Sequence, residues 1–187
     1  MRFVVLFDSC VLYSASLRDF LLRLAHAGLF AAKWTDQIHD EWMNSILKVR
    51  PELASQLERT KTLMNNAIPD CLVTEYESLI GGLTLPDAND KHVLAAAIRC
   101  GAQIIVTFNL KDFPIEILDP YGIEAMHPDV FVEHQMSLYQ GAVIGAAKNH
   151  RAALKNPPKT AEEYLATLAA QKLVVTADKL REFVELI

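Results

Sequence analysis

Gln103-Ile104-Ile105-Val106-Thr107-Phe108-Asn109-Leu110-Lys111-Asp112 is the stretch whose reading decides the fold. Its unbroken apolar run, closed by Thr107 and a polar turn, predicts a strand buried on both faces, as in a parallel sheet. Residues 2–7 predict a second such strand, which runs into Asp8-Ser9. Shorter candidates lie at Cys71-Leu72-Val73 and around Ile123-Glu124-Ala125.

The segments between these strands have helical spacing. Leu17, Phe20, Leu21, Leu24 and Leu29 recur on one face, with Gly28 as a stop. A helix after Thr35 places Ile38, Trp42, Ile46 and Leu47 inward and closes before Pro51, which suits the first turn of a third helix through about Ala67. Gly81-Gly82 marks a break. Asp87 caps a helix that carries Val93, Leu94, Ala97 and Ile98 and stops at Gly101. Strands alternating with helices imply a three-layer α/β/α fold with a central parallel sheet.

From His127 the pattern is helical only, over about 129–139, 141–154, 161–171 and 177–187. Asn156-Pro157-Pro158-Lys159 separates the two pairs, and Thr160 with Glu163 spells a capping box. The expected division is therefore a domain over 1–126 and a C-terminal helical extension over 127–187. The extension is too short for its own core. Its apolar residues Val174, Val175, Leu180, Phe183, Val184, Leu186 and Ile187 predict packing on the α/β body, on a second copy or on a partner.

The chain has 187 residues, 51% apolar and 22% charged, which describes a folded protein and excludes disordered or collagen-like classes. No apolar stretch reaches membrane-spanning length, and the N-terminal run lacks a cleavage site, so no signal peptide or membrane span is expected. Cys10, Cys71 and Cys100 form no CxxC pair, which predicts reduced thiols in a cytoplasmic protein rather than a disulfide framework or a zinc site. The net charge is −5, and its whole excess lies in residues 1–126, with 16 acids against 11 bases. An acidic site can serve an acidic substrate when bound divalent cations invert the local charge.

Ligand sites in parallel sheets lie at the carboxyl ends of strands. Asp8 follows the first strand, Asn109 and Asp112 follow residues 103–107, and Asp87 and Asp90 begin the helix leading into that strand. Glu41 sits mid-helix beside Trp42. Taken singly, each has a plain structural role as turn, cap or solvated residue. Together, four or five acids at one end of one sheet repel unless a cation joins them.

Phe7-Asp8-Ser9-Cys10-Val11-Leu12, Asp40-Glu41-Trp42, Asp87-Ala88-Asn89-Asp90-Lys91-His92-Val93-Leu94-Ala95-Ala96-Ala97 and Val106-Thr107-Phe108-Asn109-Leu110-Lys111-Asp112-Phe113 resemble the motifs of the PIN-domain family. Within it the sequence resembles particularly the single-domain bacterial ribonucleases that act as VapC-type toxins. The similarity spans about residues 2–125, and the last two motifs are specific in spacing and in their flanking alanines. The resemblance implies a PIN-like fold and a cytoplasmic endoribonuclease that uses Mg²⁺ or Mn²⁺. It further implies an RNA substrate, a protein antitoxin and a homodimer.

By the same resemblance Asp8, Glu41 and Asp90 match the family's metal-holding acids. The fourth acid of the family falls on Asn109, a departure that keeps a carbonyl oxygen and removes a charge. Asp112 or Asp87 is expected to compensate, and Asp112 joins Asp8, Glu41 and Asp90 as a catalytic candidate. Thr107 is expected to position water or a ligand, and Arg18 and Lys111 read as solvated side chains before phosphate contacts.

His92 lies two residues from Asp90 on another helix face and reads as structural or as acting behind the acids. Trp34 and Trp42 read as core residues before base-stacking platforms. A haloacid-dehalogenase-type phosphatase also opens with a strand ending in Asp, but needs a second acid where Cys10 stands. A PIN-like protein that binds metal or nucleic acid without cleaving is the alternative that Asn109 keeps open.

Overall fold

Val5, Leu6 and Phe7 are fully buried in the first strand, β1 (Val4–Phe7), as an apolar run demands when both faces of its strand are covered. The computed structural model describes residues 3–187, so Arg2 of the predicted strand lies outside the described residues. After β1 come α1 (Ser9–Leu12), α2 (Ala15–His26), β2 (Ala31–Lys33), α3 (Asp36–Leu47), α4 (Ala54–Ala67) and α5 (Glu77–Ile80). They are followed by α6 (Lys91–Cys100), β3 (Ile104–Val106), α7 (Ile115–Leu118), β4 (Glu124–Met126), α8 (Pro128–Ala153), α9 (Ala161–Ala170) and α10 (Val174–Arg181). No helix among the described residues is long and apolar enough to cross a membrane.

The chain forms two compact units. The first comprises the residues up to Tyr13 together with Phe30–His127, and the second Ser14–Leu29 with Pro128–Ile187.

In the first unit the four strands form one all-parallel sheet in the order β2-β1-β3-β4, flanked by helices in the α/β/α manner. The register pairs Val4 with Ala31, Phe7 with Val106 and Val106 with Met126. All four carboxyl ends therefore fall on one edge. From β1 the chain pairs with β2 on one side and β3 on the other, so a topological switch point lies between β1 and β3. Asp8 N–H donates to the Val106 carbonyl at 3.1 Å, which carries the pairing one residue beyond β1 and places Asp8 in that crevice. Helix α6 packs on β1 and is covered on all sides through Val93, Leu94, Ala95, Ala96 and Ala97, which are completely buried. It ends where Gly101 adopts a left-handed φ of 65°, which only glycine takes without strain.

Residues 71–73 do not form the expected strand. They make a single parallel bridge between Leu72 and Trp34, with Leu72 still 39% exposed. Asp87 caps a 3₁₀ turn, Ala88–Asp90, and α6 proper begins after it.

The second unit is helical. Helix α2 packs on α8, and α10 packs on both α8 and α9. Helix α8 breaks at Tyr139, whose φ of −138° and ψ of 50° are non-helical, where the sequence predicts two helices. The capping box of Thr160 and Glu163 opens α9 as expected. The last helix begins at Val174 rather than 177. The carboxylate of buried Asp129 accepts from the N–H groups of Val175 and Thr176, each at 2.9 Å, and so starts the helix early. Leu180 and Ile187 are buried, whereas Val174, Val175 and Leu186 remain about half exposed.

Candidate active site

Asp8 ends β1 in extended conformation and caps α1, so the turn that stops the strand also presents its carboxylate. The residue is 3% exposed, and its charge is met by short-range donors. Ser9 N–H donates to Oδ1 at 2.6 Å, and the Thr107 hydroxyl donates to Oδ2 at 2.7 Å. Thr107, which follows β3 and is fully buried, accepts in turn from Asn109 N–H at 2.9 Å. The Cys10 thiol donates to Asp8 Oδ2 at 2.9 Å, and burial followed by the Asp8 charge pushes it up to about 12. It therefore stays a protonated donor and supplies no thiolate nucleophile.

Asp90 stands at the N-cap position of α6 with no side-chain capping hydrogen bond, and is half-buried. Burial first, then the charges of Asp8, Asp87 and Asp112, push its carboxyl up to about 6, against an opposite pull from His92. Asp8, Asp87, Asp90 and Asp112 thus share one electrostatic neighbourhood. Asp112 closes the 3₁₀ turn Leu110–Asp112 after β3 and is half-buried, while Asp87 is exposed and accepts from Asn89 N–H at 2.9 Å.

Glu41 lies half-buried on α3, with Oε1 2.6 Å from Nε2 of His92, itself only 3% exposed on α6. Helix α3 is held by a buried polar relay. Trp42 Nε1–H donates to His39 Nδ1 at 3.1 Å, so the proton of a neutral His39 ring is on Nε2. That nitrogen faces Asn65 Oδ1 at 3.0 Å, and Trp34 Nε1–H donates to the same oxygen at 2.9 Å. Trp34, His39 and Trp42 are all essentially unexposed, so both tryptophans belong to the core. Burial chiefly lowers the His39 pKa, which keeps the relay neutral.

Asn109 and Lys111 are exposed in the turn after β3. Arg18 lies on α2 in the second unit; it is 8% exposed, and burial chiefly lowers its guanidinium to about 10. Among the contacts the sequence did not announce are the thiol of Cys10 on Asp8 and the imidazole of His92 on Glu41. Proximity of Cys10 to Asp8 was a usable signal for the first. The second depends on how α3 and α6 meet, and no local spacing encodes that.

Oxygen ligands, several of them charged, suit a hard divalent cation, and positive charge relieves the repulsion that raises Asp90. Among the described residues no group of three or more His, Cys, Asp or Glu side chains is arranged to hold a metal ion as it stands.

An all-parallel sheet with carboxylates gathered at its switch point defines a class of α/β proteins with an acidic site at the carboxyl edge. The chain belongs to the PIN-domain family: residues 4–111 match the PIN domain model, and residues 128–182 match the VapC50 C-terminal domain. It is 36% identical over 121 residues to the Mycobacterium tuberculosis protein named "Putative ribonuclease VapC50", covering 65% of this chain and 71% of that one. No match is found among solved structures.

Proposed function

We propose that the protein is a metal-dependent endoribonuclease, the toxin of a toxin–antitoxin pair acting in the cytoplasm. The observation that carries this reading is the shared field of Asp8, Asp87, Asp90 and Asp112 at the switch point of the sheet. Family membership and the name of the M. tuberculosis relative support it. Asp8, Glu41, Asp90 and Asp112 would hold Mg²⁺ or Mn²⁺, with Asn109 offering a carbonyl oxygen. The ion, when bound, supplies activation of water and charge neutralisation at the phosphodiester.

The protein's own groups prepare that chemistry. Thr107 and Ser9 N–H fix both oxygens of Asp8. Thr107 also ties the turn after β3 to β1, so that Asp112 and Asn109 keep their place relative to Asp8. Asp90, with its carboxyl raised to about 6, is able to keep or release a proton near neutral pH. Lys111, exposed beside these acids in sequence, is the phosphate contact favoured in this unit. Arg18 has no role in the scheme. An antitoxin and a second copy are the partners in this reading, and the exposed apolar residues Val174, Val175 and Leu186 are available to either.

Incubation of labelled RNA with wild type, Asp8→Asn and Asp90→Asn, in Mn²⁺ and in chelator, tests the proposal. Cleavage by wild type in Mn²⁺ only, lost in both variants, is expected. A second reading, a PIN-like protein that binds metal or nucleic acid without cleaving, draws on Asn109 in place of an acid. Retarded but intact RNA in the same assay would establish it.

A further inference from the structure

His92 is a buried polar side chain in search of a partner. Its ring is 3% exposed within α6, and neither ring nitrogen has an aligned hydrogen-bond partner among the described residues. The group at hand is Glu41, whose Oε1 lies 2.6 Å from Nε2 although off the geometry of an ideal hydrogen bond. A ring nitrogen facing a carboxylate at that distance carries its hydrogen, because two lone pairs would repel.

The backbone of Glu41 is anchored through the His39, Asn65 and tryptophan relay, but its side chain has three free torsions and is 36% exposed. A flexible carboxylate on a rigid helix is a poor ligand until something removes its rotamer freedom. The buried imidazole can do so, because at 3% exposure it has little freedom of its own.

We infer that His92 is the positioning residue of Glu41: it grips Oε1 and leaves Oε2 to face a divalent cation. The inference rests on the metal-site reading proposed above and adds to it a residue that touches neither cation nor substrate. Loss of such a partner typically weakens metal affinity about 10- to 100-fold.

The experiment is calorimetric titration of the full chain with Mn²⁺. His92→Leu keeps apolar bulk without a donor, whereas His92→Gln restores an N–H near the position of Nε2. We expect the Leu variant to bind Mn²⁺ at least about tenfold more weakly and the Gln variant to recover most of that loss. In a Glu41→Gln background the Leu substitution should change affinity no further. Equal affinity in the Leu variant and wild type overturns the inference. So does tighter binding, which would mean that His92 holds Glu41 back, or an equal loss in the Glu41→Gln background.

Asp8→Asn is the control for the underlying reading. If it binds Mn²⁺ like wild type, the metal site is wrong; if it loses Mn²⁺ while His92→Leu does not, His92 alone is wrong. Absence of Mn²⁺ uptake by wild type overturns both. Should the Leu variant fail to fold, the ¹⁵N resonances of the His92 ring decide in metal-free protein, because Glu41→Gln must shift them and unchanged resonances refute the contact.

Discussion

Asp8 in the first unit and Asp129 in the second are both buried aspartates, 3% and 7% exposed. Asp8 accepts from one backbone N–H and Asp129 from two, and each accepts from a threonine hydroxyl, Thr107 at 2.7 Å and Thr176 at 2.7 Å. Asp129 accepts from donors at the start of α10, where its charge completes a cap. Around Asp8 stand other acids, one of which it helps to push up to about 6. Burial and satisfaction do not tell a ligand from a cap; what makes Asp8 a candidate ligand is the company of other acids.

The largest effect should follow from Asp8→Asn, which keeps the shape and removes the charge. Cleavage of RNA in Mn²⁺ should fall by roughly 10³, about 4 kcal/mol of barrier. Thermal unfolding of the metal-free protein should move little, as relieved carboxylate repulsion of about 1 kcal/mol offsets the acceptor lost to Thr107 and Cys10 or to Ser9. A variant that unfolds instead would place Asp8 in the same structural role as Asp129.

The second unit should respond to acid through His150. This fully buried ring faces Tyr164 Oη at 3.1 Å through Nδ1, stacks on Phe20 at 5.6 Å and lies 3.7 Å from Asp19. Burial, opposed by Asp19 and aided by Arg23, lowers its pKa to about 4. The unfolded ring binds a proton near 6.5 and the folded ring does not until about 4, so the unfolded state holds more protons in that window. Stability from this group is complete above about pH 6.5 and is lost as pH falls through about 4, by about 3 kcal/mol in all. Denaturant unfolding of wild type and His150→Phe across that range checks it, and equal pH dependence in the two proteins would remove the claim.

Asp129→Ala should destabilise by about 2 kcal/mol, since two N–H groups at the start of α10 lose their acceptor. Mn²⁺ affinity should not move. A changed affinity would show that the cap in the second unit and the acids in the first are not the separate cases drawn here.

Strands β1 and β3 were legible because they are unbroken apolar runs ending at Asp8 and Thr107, and a parallel sheet leaves that mark directly, whereas the three-residue β2 was not foreseen. Residues 71–73 looked the same but had one neighbour to pair with, at Trp34. The start of α10 was illegible, since its cap comes from Asp129, 46 residues away. Amphipathic spacing found α2 but not its company, because a periodic face says that a helix is buried and not against what. At the site, Asp8, Asp90 and Asp112 could be placed together since each flanks the same edge of the sheet. The pairing of Glu41 with His92 could not, because it is set by the docking of two helices.

Asn109→Asp is the smallest expected change and the sharpest probe of the acidic neighbourhood. Asn109 is exposed, and its backbone N–H is already committed to Thr107 Oγ1, so substitution of the side chain leaves that tie intact. An added carboxylate at low dielectric cost should raise Mn²⁺ affinity by about fivefold, near 1 kcal/mol, if the side chain reaches the cation. In metal-free protein the same charge should push Asp90 further above its ordinary range, because it adds to the repulsion from Asp8, Asp87 and Asp112. Calorimetry and carbon NMR titration of the Asp90 carboxyl read the two effects separately. If neither moves, Asn109 is only a turn residue and Asp112 is the acid that completes the set. If Asp90 responds but Mn²⁺ affinity does not, residue 109 contributes field without coordination, a role intermediate between the ligand proposed at Asp8 and the cap at Asp129.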